Sequence, residues 1–290
     1  MAADTLSQDA PRGPLVSSAW LADRLGESDL KVVDASWYLP AMQRDGAAEF
    51  RAAHIPRAVH FDIDAICDPA SDLPHTLPAP EDFARKVGAL GISHRDRIVV
   101  YDGQGLFSAP RVWWMFRTYG AREVAVLDGG LPAWKAEHRP LESGTPQPTP
   151  CVFEPSFDRT AVAAMADVAA ALATGSAQVA DARAAARFAG SAPEPRPGLP
   201  SGHMPGARNL PFGELLADGR LVDAVAIRAA LAAAGIDPAR PLITSCGSGV
   251  SAAIINLALA AAGLPAARLY DGSWTEWASR GMPIEPPPAS

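Results

Sequence analysis

The feature that most constrains this chain is an internal repeat: motifs of the first half return in the second, in the same order. Val179-Ala180-Asp181-Ala182 echoes Val32-Val33-Asp34-Ala35. Gly202-His203-Met204-Pro205-Gly206-Ala207 echoes residues 53–58, Ala-His-Ile-Pro-Arg-Ala. Residues 231–236 echo 87–92, and Asp271-Gly272-Ser273-Trp274-Thr275-Glu276-Trp277 echoes 128–134, with Trp134 and Trp277 at the same place in each. The spacing from Asp34 to Asp128 matches that from Asp181 to Asp271 to within a small insertion. Four motifs kept in one order mark a duplicated unit rather than chance likeness. A chain of 290 residues has room for two such units.

Each unit alternates short β-type runs with helical stretches. Residues 31–34, 98–101 and 124–127 predict strands. Residues 19–25, capped by Ser17 or Ser18, predict a helix, as do 83–90, stopped by Gly91, and 110–119, stopped by Gly120. Residues 39–53 predict a loop and a helix. The alternation makes each half an α/β domain with a mainly parallel sheet flanked by helices. The domains are expected at 1–141 and 159–290, joined by a proline-bearing linker at 142–158. Residues 1–14 are polar, lack the basic start and apolar core of a signal peptide, and are expected to form a loose arm. The longest apolar run, near 250–264, is too short to span a membrane.

The candidate chemistry lies in Ser245-Cys246-Gly247-Ser248-Gly249-Val250-Ser251-Ala252. Leu242-Ile243-Thr244 leads in as a strand, and a run of small and apolar residues leads out as a helix. The glycines at one and three residues past the cysteine let the backbone curl and aim N–H groups inward, with Gly247 expected to take a positive φ. The positive end of the following helix faces the same point. An anion is stabilised in such a loop, and the thiolate is the nucleophilic form of cysteine. A buried structural cysteine in a strand-to-helix turn is the plainer reading of a lone Cys, but it does not call for flanking glycines and serines. Laying the halves over each other puts Asp102 of Asp102-Gly103-Gln104-Gly105 where Cys246 stands. One domain therefore carries a nucleophile and its twin does not.

Charge and cysteine content narrow the partners. A net charge of −7 argues against nucleic acid, so an anionic substrate must find cations locally. The three cysteines, Cys67, Cys151 and Cys246, are odd in number and widely spaced. That argues against a disulfide framework or a metal site and for a reducing, cytoplasmic setting. His54 and His203 occupy equivalent repeat positions and are expected to be structural. Trp113 and Trp114 are expected in the core, and Arg183 as an ion-pair partner of Asp181.

The tandem halves, the His-x-Pro-x-Ala segments, the Asp-Gly-Gly and Asp-Gly-Ser segments and the Cys246-Gly247-Ser248-Gly249-Val250-Ser251 loop resemble the two-domain rhodanese-type sulfurtransferases, above all their mercaptopyruvate-using branch. The resemblance covers about residues 15–284. It implies two tandem rhodanese-like domains, the first non-catalytic, and a Cys246 persulfide that carries sulfur from a small-molecule donor to cyanide or an acceptor thiol, such as a small thiol or thioredoxin. No cofactor is expected, and the cysteine spacing, net charge and apolar runs already argue against metal, nucleic acid and membrane. Arg187 and Arg196 take the places of the family's donor-binding arginines, alongside the loop residues Gly247, Gly249, Val250 and Ser251. A guanidinium fork grips a carboxylate and keeps its charge. Ser248, His75 and Asp64 take the places of the family's Ser–His–Asp arrangement, with proton handling as the implied role. His75 and Asp64 lie in the first half and Ser248 in the second, so the site is expected between domains.

Where the thiosulfate-using branch resembles Cys-Arg-Lys-Gly, this chain has neutral Gly247 and Ser248. A dianionic donor gains from cations in the loop itself, whereas a monocarboxylate held by remote arginines does not need them. The loop thus favours mercaptopyruvate, with a thiosulfate:cyanide sulfurtransferase or a non-enzymatic sulfur-carrier or regulatory module as alternatives. A Cys-x5-Arg phosphatase is disfavoured, because Ala252 stands at the arginine position.

Overall fold

A computed structural model describes residues 13–285. The first half contains strands β1 (Leu15–Val16), β2 (Leu30–Asp34), β3 (Val59–His60), β4 (Arg97–Tyr101) and β5 (Glu123–Leu127). Helices α1 (Ser18–Ala22), α2 (Gly46–Ala52), α3 (Pro80–Ala89), α4 (Ala109–Thr118) and α5 (Gly130–Ala136) connect them. The second half contains β6 (Val162–Ala163), β7 (Gln178–Asp181), β8 (Arg208–Asn209), a small hairpin of β9 (Leu216–Ala217) and β10 (Arg220–Leu221), β11 (Leu242–Ser245) and β12 (Arg268–Tyr270). Its helices are α6 (Met165–Thr174), α7 (Ala185–Phe188), α8 (Ala224–Ala233), α9 (Ala252–Ala261) and α10 (Ser273–Ser279). The two main sheets run β1-β5-β4-β2-β3 and β6-β12-β11-β7-β8, parallel throughout. The orders are the same once the halves are superposed, so the sequence repeat is a repeat of topology.

The strands read as apolar because both sheet faces are covered: every residue of β4, Arg-Ile-Val-Val-Tyr, is buried. Each fully buried Val, Ile or Leu contributes about 1.5–3 kcal/mol relative to exposure. The outer faces of the two sheets hold separate clusters around Trp134 and Trp274. The inner faces share one continuous apolar cluster, with α4 packed on α9 between them. Trp113 and Trp114 are buried in that shared core.

The repeat extends to single contacts. His54 Nδ1 pairs with the Phe50 carbonyl at 2.7 Å, and His203 Nδ1 with the Phe188 carbonyl at 2.9 Å. Both rings stack on those phenylalanines, at 4.1 and 3.8 Å between centroids. Trp134 and Trp277 each donate Nε1–H to the carbonyl of a proline six residues on, both at 2.7 Å.

The 142–158 segment is fastened to the first half rather than free. Glu142 bridges His54, the Cys151 N–H donates to Gly88 and the Ser156 N–H to Tyr119, and Phe153 is buried against Phe83 and Phe116. Burying Phe153 removes apolar area from water, which outweighs the freedom of a loose linker. Of the expected arm, residues 1–12 lie outside the described residues. Pro14 is already tied to the sheet through the Val126 N–H.

Candidate active site

Cys246 follows the last residue of β11 and is buried, at 2% exposure. Its loop is braced from α10: the Cys246 N–H donates to Ser273 Oγ, the Trp274 N–H to the Cys246 carbonyl, and both Thr275 N–H and Oγ1–H to the Gly247 carbonyl. Gly249, not Gly247, takes the positive φ, at +77°. A Cβ on Gly249 would lie 2.9 Å from both Arg111 Nη1 and the Asp271 carbonyl, so packing as well as φ demands glycine there. The loop N–H groups from Gly247 to Ala252 have no acceptor among the described residues.

The twin loop reveals what such N–H groups hold. In the first half the Asp102 carboxylate, at the position equivalent to Cys246, accepts from the Gln104, Phe107, Ser108 and Ala109 N–H groups at 2.7–2.9 Å. Asp102 is wholly buried; desolvation pushes its carboxyl up and the N–H bonds pull it back. The repeated strand–loop–helix is an anion cradle, filled by a side chain in one half and flanked by a thiol in the other.

The first half sends His75 into the second-half site. His75 is buried and adopts a left-handed φ of 61°. Its Nδ1 stands 2.9 Å from Asp64 Oδ1, in contact though poorly aligned for a hydrogen bond. Its Nε2 lies 3.2 Å from Arg196 Nη2. A guanidinium only donates, so Nε2 accepts and the ring proton sits on Nδ1, facing Asp64. The His75 contact holds the Asp64 carboxyl below its usual value. Trp37 completes the group: its Nε1–H donates to Asp64 Oδ2 at 2.8 Å, and its ring meets His75 edge-on at 4.8 Å.

The structure therefore joins Asp64 to His75 and places Arg196, rather than Ser248, at the second ring nitrogen. Ser248 is buried in the Cys246 loop, and no hydrogen bond links it to His75. Val250 and Ser251 are buried in the turn that enters α9.

Arg196 is half-buried, which works against its charge; Cys246 and Asp64, close enough to interact, support it, while Arg187 opposes it. Arg187 borders the loop, with Nη2 3.1 Å from where a Gly247 Cβ would stand. Its fork is bound by Glu194, whose side chain is almost fully buried and also grips Arg183. Arg183 is the structural ion-pair partner expected of it, with both Asp181 oxygens in reach and its guanidinium over the Trp274 ring. Three participants escaped the reading of the sequence: Trp37, Glu194 and Arg111. Arg111 alone left a legible signal, an arginine directly before the apolar run Val112 to Phe116.

The Rhodanese-like domain model matches residues 17–137 and 164–280, one copy in each half. The chain is 43% identical to 3-mercaptopyruvate sulfurtransferase of Escherichia coli strain K12, over 93% of this chain and 97% of that protein. It is 42% identical to thiosulfate sulfurtransferase of Bos taurus, over 93% of each. The crystal structure of the Escherichia coli 3-mercaptopyruvate sulfurtransferase SseA superposes with a TM-score of 0.84 at 40% identity, covering 90% of this chain and 99% of that one.

Proposed function

Because this chain belongs to the rhodanese-like family, as a two-domain sulfurtransferase of the 3-mercaptopyruvate type, we propose that Cys246 carries the transferred sulfur as a persulfide. The observation that carries the reading is the pair of cradles. The loop that closes four N–H groups on the Asp102 carboxylate leaves the equivalent groups beside Cys246 free for a developing anion. The catalytic half is 159–290, and the non-catalytic half, 1–141, supplies His75, Asp64 and the scaffold.

In the donor step the Cys246 thiolate attacks the sulfur of mercaptopyruvate. The Sγ–S bond forms, the C–S bond breaks, and its electron pair leaves on carbon as the enolate of pyruvate. The proton on the donor thiol is the one that carbon needs. His75, with Nδ1–H directed at Asp64 and an Nε2 that is freed to take a proton once Arg196 turns from it to the donor carboxylate, takes and returns it, with Ser248 of the Cys246 loop as its partner in proton handling. Arg196 and Arg187 hold the carboxylate, and the N–H groups of Gly247, Gly249, Val250 and Ser251 hold the persulfide. An acceptor thiolate or cyanide then attacks the outer sulfur and returns Cys246 as a thiolate. The acceptor is a small thiol, a protein thiol such as thioredoxin, or cyanide, and a reducing compartment such as the cytoplasm suits three free cysteines.

A second donor, thiosulfate, is favoured by the likeness to the bovine thiosulfate sulfurtransferase. The neutral Gly247 and Ser248 beside Cys246 weigh against it. Comparing kcat/KM for the two donors decides: the proposal requires mercaptopyruvate to be preferred, and a preference for thiosulfate rejects it.

A further inference from the structure

Arg111 is a fully buried cation in the first turn of helix α4, just before the apolar run Val112 to Phe116. Its acceptors come from three separate segments. Nη2 donates to the His75 carbonyl at 2.6 Å and to Asp271 Oδ1 at 2.6 Å, and Nη1 reaches the Gly249 carbonyl at a long 3.4 Å. The other oxygen of Asp271 accepts the Leu77 N–H at 2.7 Å. One Arg–Asp pair thus grips the His75-Thr76-Leu77 tripeptide at both ends, by the carbonyl of its first residue and the N–H of its third. Between those grips His75 holds a left-handed φ of 61°, uncommon for a residue other than glycine.

The first half offers a comparison. There Asp128 Oδ1 accepts the Leu221 N–H at 3.0 Å, and Gly219, with a left-handed φ of 74°, packs against Gly105. The ion partner of Asp128 is Arg220, which is part of the turn itself and partly exposed. At the third residue of α9, where α4 carries Arg111, stands buried Ile254. The turn therefore forms without a buried arginine when its first residue is glycine. The arginine is present where the turn must aim an imidazole.

We infer that Arg111 is a positioning residue: with Asp271 it fixes the His75 turn across the Cys246 loop and so sets the direction of the imidazole. The inference rests on the proton-handling role given to His75. It separates the two half-reactions. Release of pyruvate needs an aimed His75, whereas attack of cyanide on a formed persulfide expels a thiolate and needs no proton.

The test uses the full chain with Arg111→Lys, which keeps the charge but loses the fork, with Arg111→Met, and with Asp271→Asn. Pyruvate release in a single turnover, persulfide discharge by cyanide, and thermal unfolding are measured for each, alone and combined with His75→Ala. We expect Arg111→Lys to slow pyruvate release by about tenfold or more with KM little changed, and cyanide discharge to stay as in the parent. We expect Arg111→Lys/His75→Ala to be no slower than His75→Ala, because residues that act through one another are not additive. If Arg111→Met does not fold, the lysine and Asp271→Asn variants carry the same comparison. Multiplicative losses in the double variant, or equal losses in both half-reactions, overturn the inference while leaving the role of His75 standing. An unchanged rate of pyruvate release in His75→Ala overturns that role, and this inference with it.

Discussion

Among the three cysteines, surroundings separate Cys246 from the others. Burial pushes the thiols of Cys67 and Cys151 up, away from the thiolate, and neither lies in a glycine loop before a helix. Cys246→Ser is expected to abolish sulfur transfer with the fold intact, while Cys67→Ser and Cys151→Ser keep most activity; steady-state assays with mercaptopyruvate and cyanide check this. Arg196 faces the site with its fork bound to no carboxylate among the described residues, whereas Arg187 shares its charge with Glu194. Arg196→Ala should remove a charge-assisted contact of about 1.5–3 kcal/mol, a loss in donor kcat/KM of about ten- to a hundredfold, and Arg187→Ala a smaller one. Equal and negligible effects would reject the carboxylate assignment. The Asp64 carboxyl, held low by His75, is ionised throughout the neutral range. Because its folded value is depressed, its stabilising effect is full above the unfolded value, near 3.8, and is lost as pH falls through the lower folded value. The stability difference between the parent and Asp64→Asn should therefore hold from neutral pH down to about 4 and shrink below it, as denaturant titrations at several pH values would reveal.

At the scale of elements, the strand–loop–helix unit does two jobs from one geometry. Asp102→Ala leaves several buried N–H groups of the first loop without an acceptor and should cost about 2–3 kcal/mol in denaturant unfolding, with the kinetics of the folded enzyme little changed. A large loss of kcat at full stability would contradict the scaffold role given to the first half. Gly249→Ala should destabilise the second loop by about 1 kcal/mol or more and slow the donor step, since its φ and its closest neighbours both exclude a methyl group. These elements were legible in the sequence. The β-type runs before Asp34, Asp102, Asp181 and Cys246, and the glycine stops at Gly91 and Gly120, fall within a few residues of the observed strands and helix ends. They are legible because local rules govern them: apolar runs in covered parallel strands, and glycine where the helix must turn left-handed. The order of the strands across each sheet left no local trace, and came into view only with the structure.

At the scale of the whole molecule, the site exists because the halves exchange loops. The first half sets the His75 ring against Arg196, which interacts with Cys246, and the second lays Gly219 against Gly105. Such contacts are illegible in one sequence, since residues as distant as Arg111 and Asp271 carry no shared pattern; only the resemblance brought His75 and Asp64 into consideration. It did not bring in Arg111, Trp37 or Glu194, whose roles are visible only as contacts. The same exchange explains why duplication produced one site rather than two: the first cradle is filled by Asp102, and its visiting loop offers glycine where the other offers histidine. The central claim is that sulfur passes through Cys246. The most direct measurement treats the full chain with mercaptopyruvate, without acceptor, and maps the added sulfur by peptide mass spectrometry. Transfer through Cys246 places one added sulfur atom on the peptide bearing Cys246, lost on adding cyanide and absent from Cys246→Ser. Sulfur on Cys67 or Cys151, or steady release of pyruvate from Cys246→Ser, would contradict it.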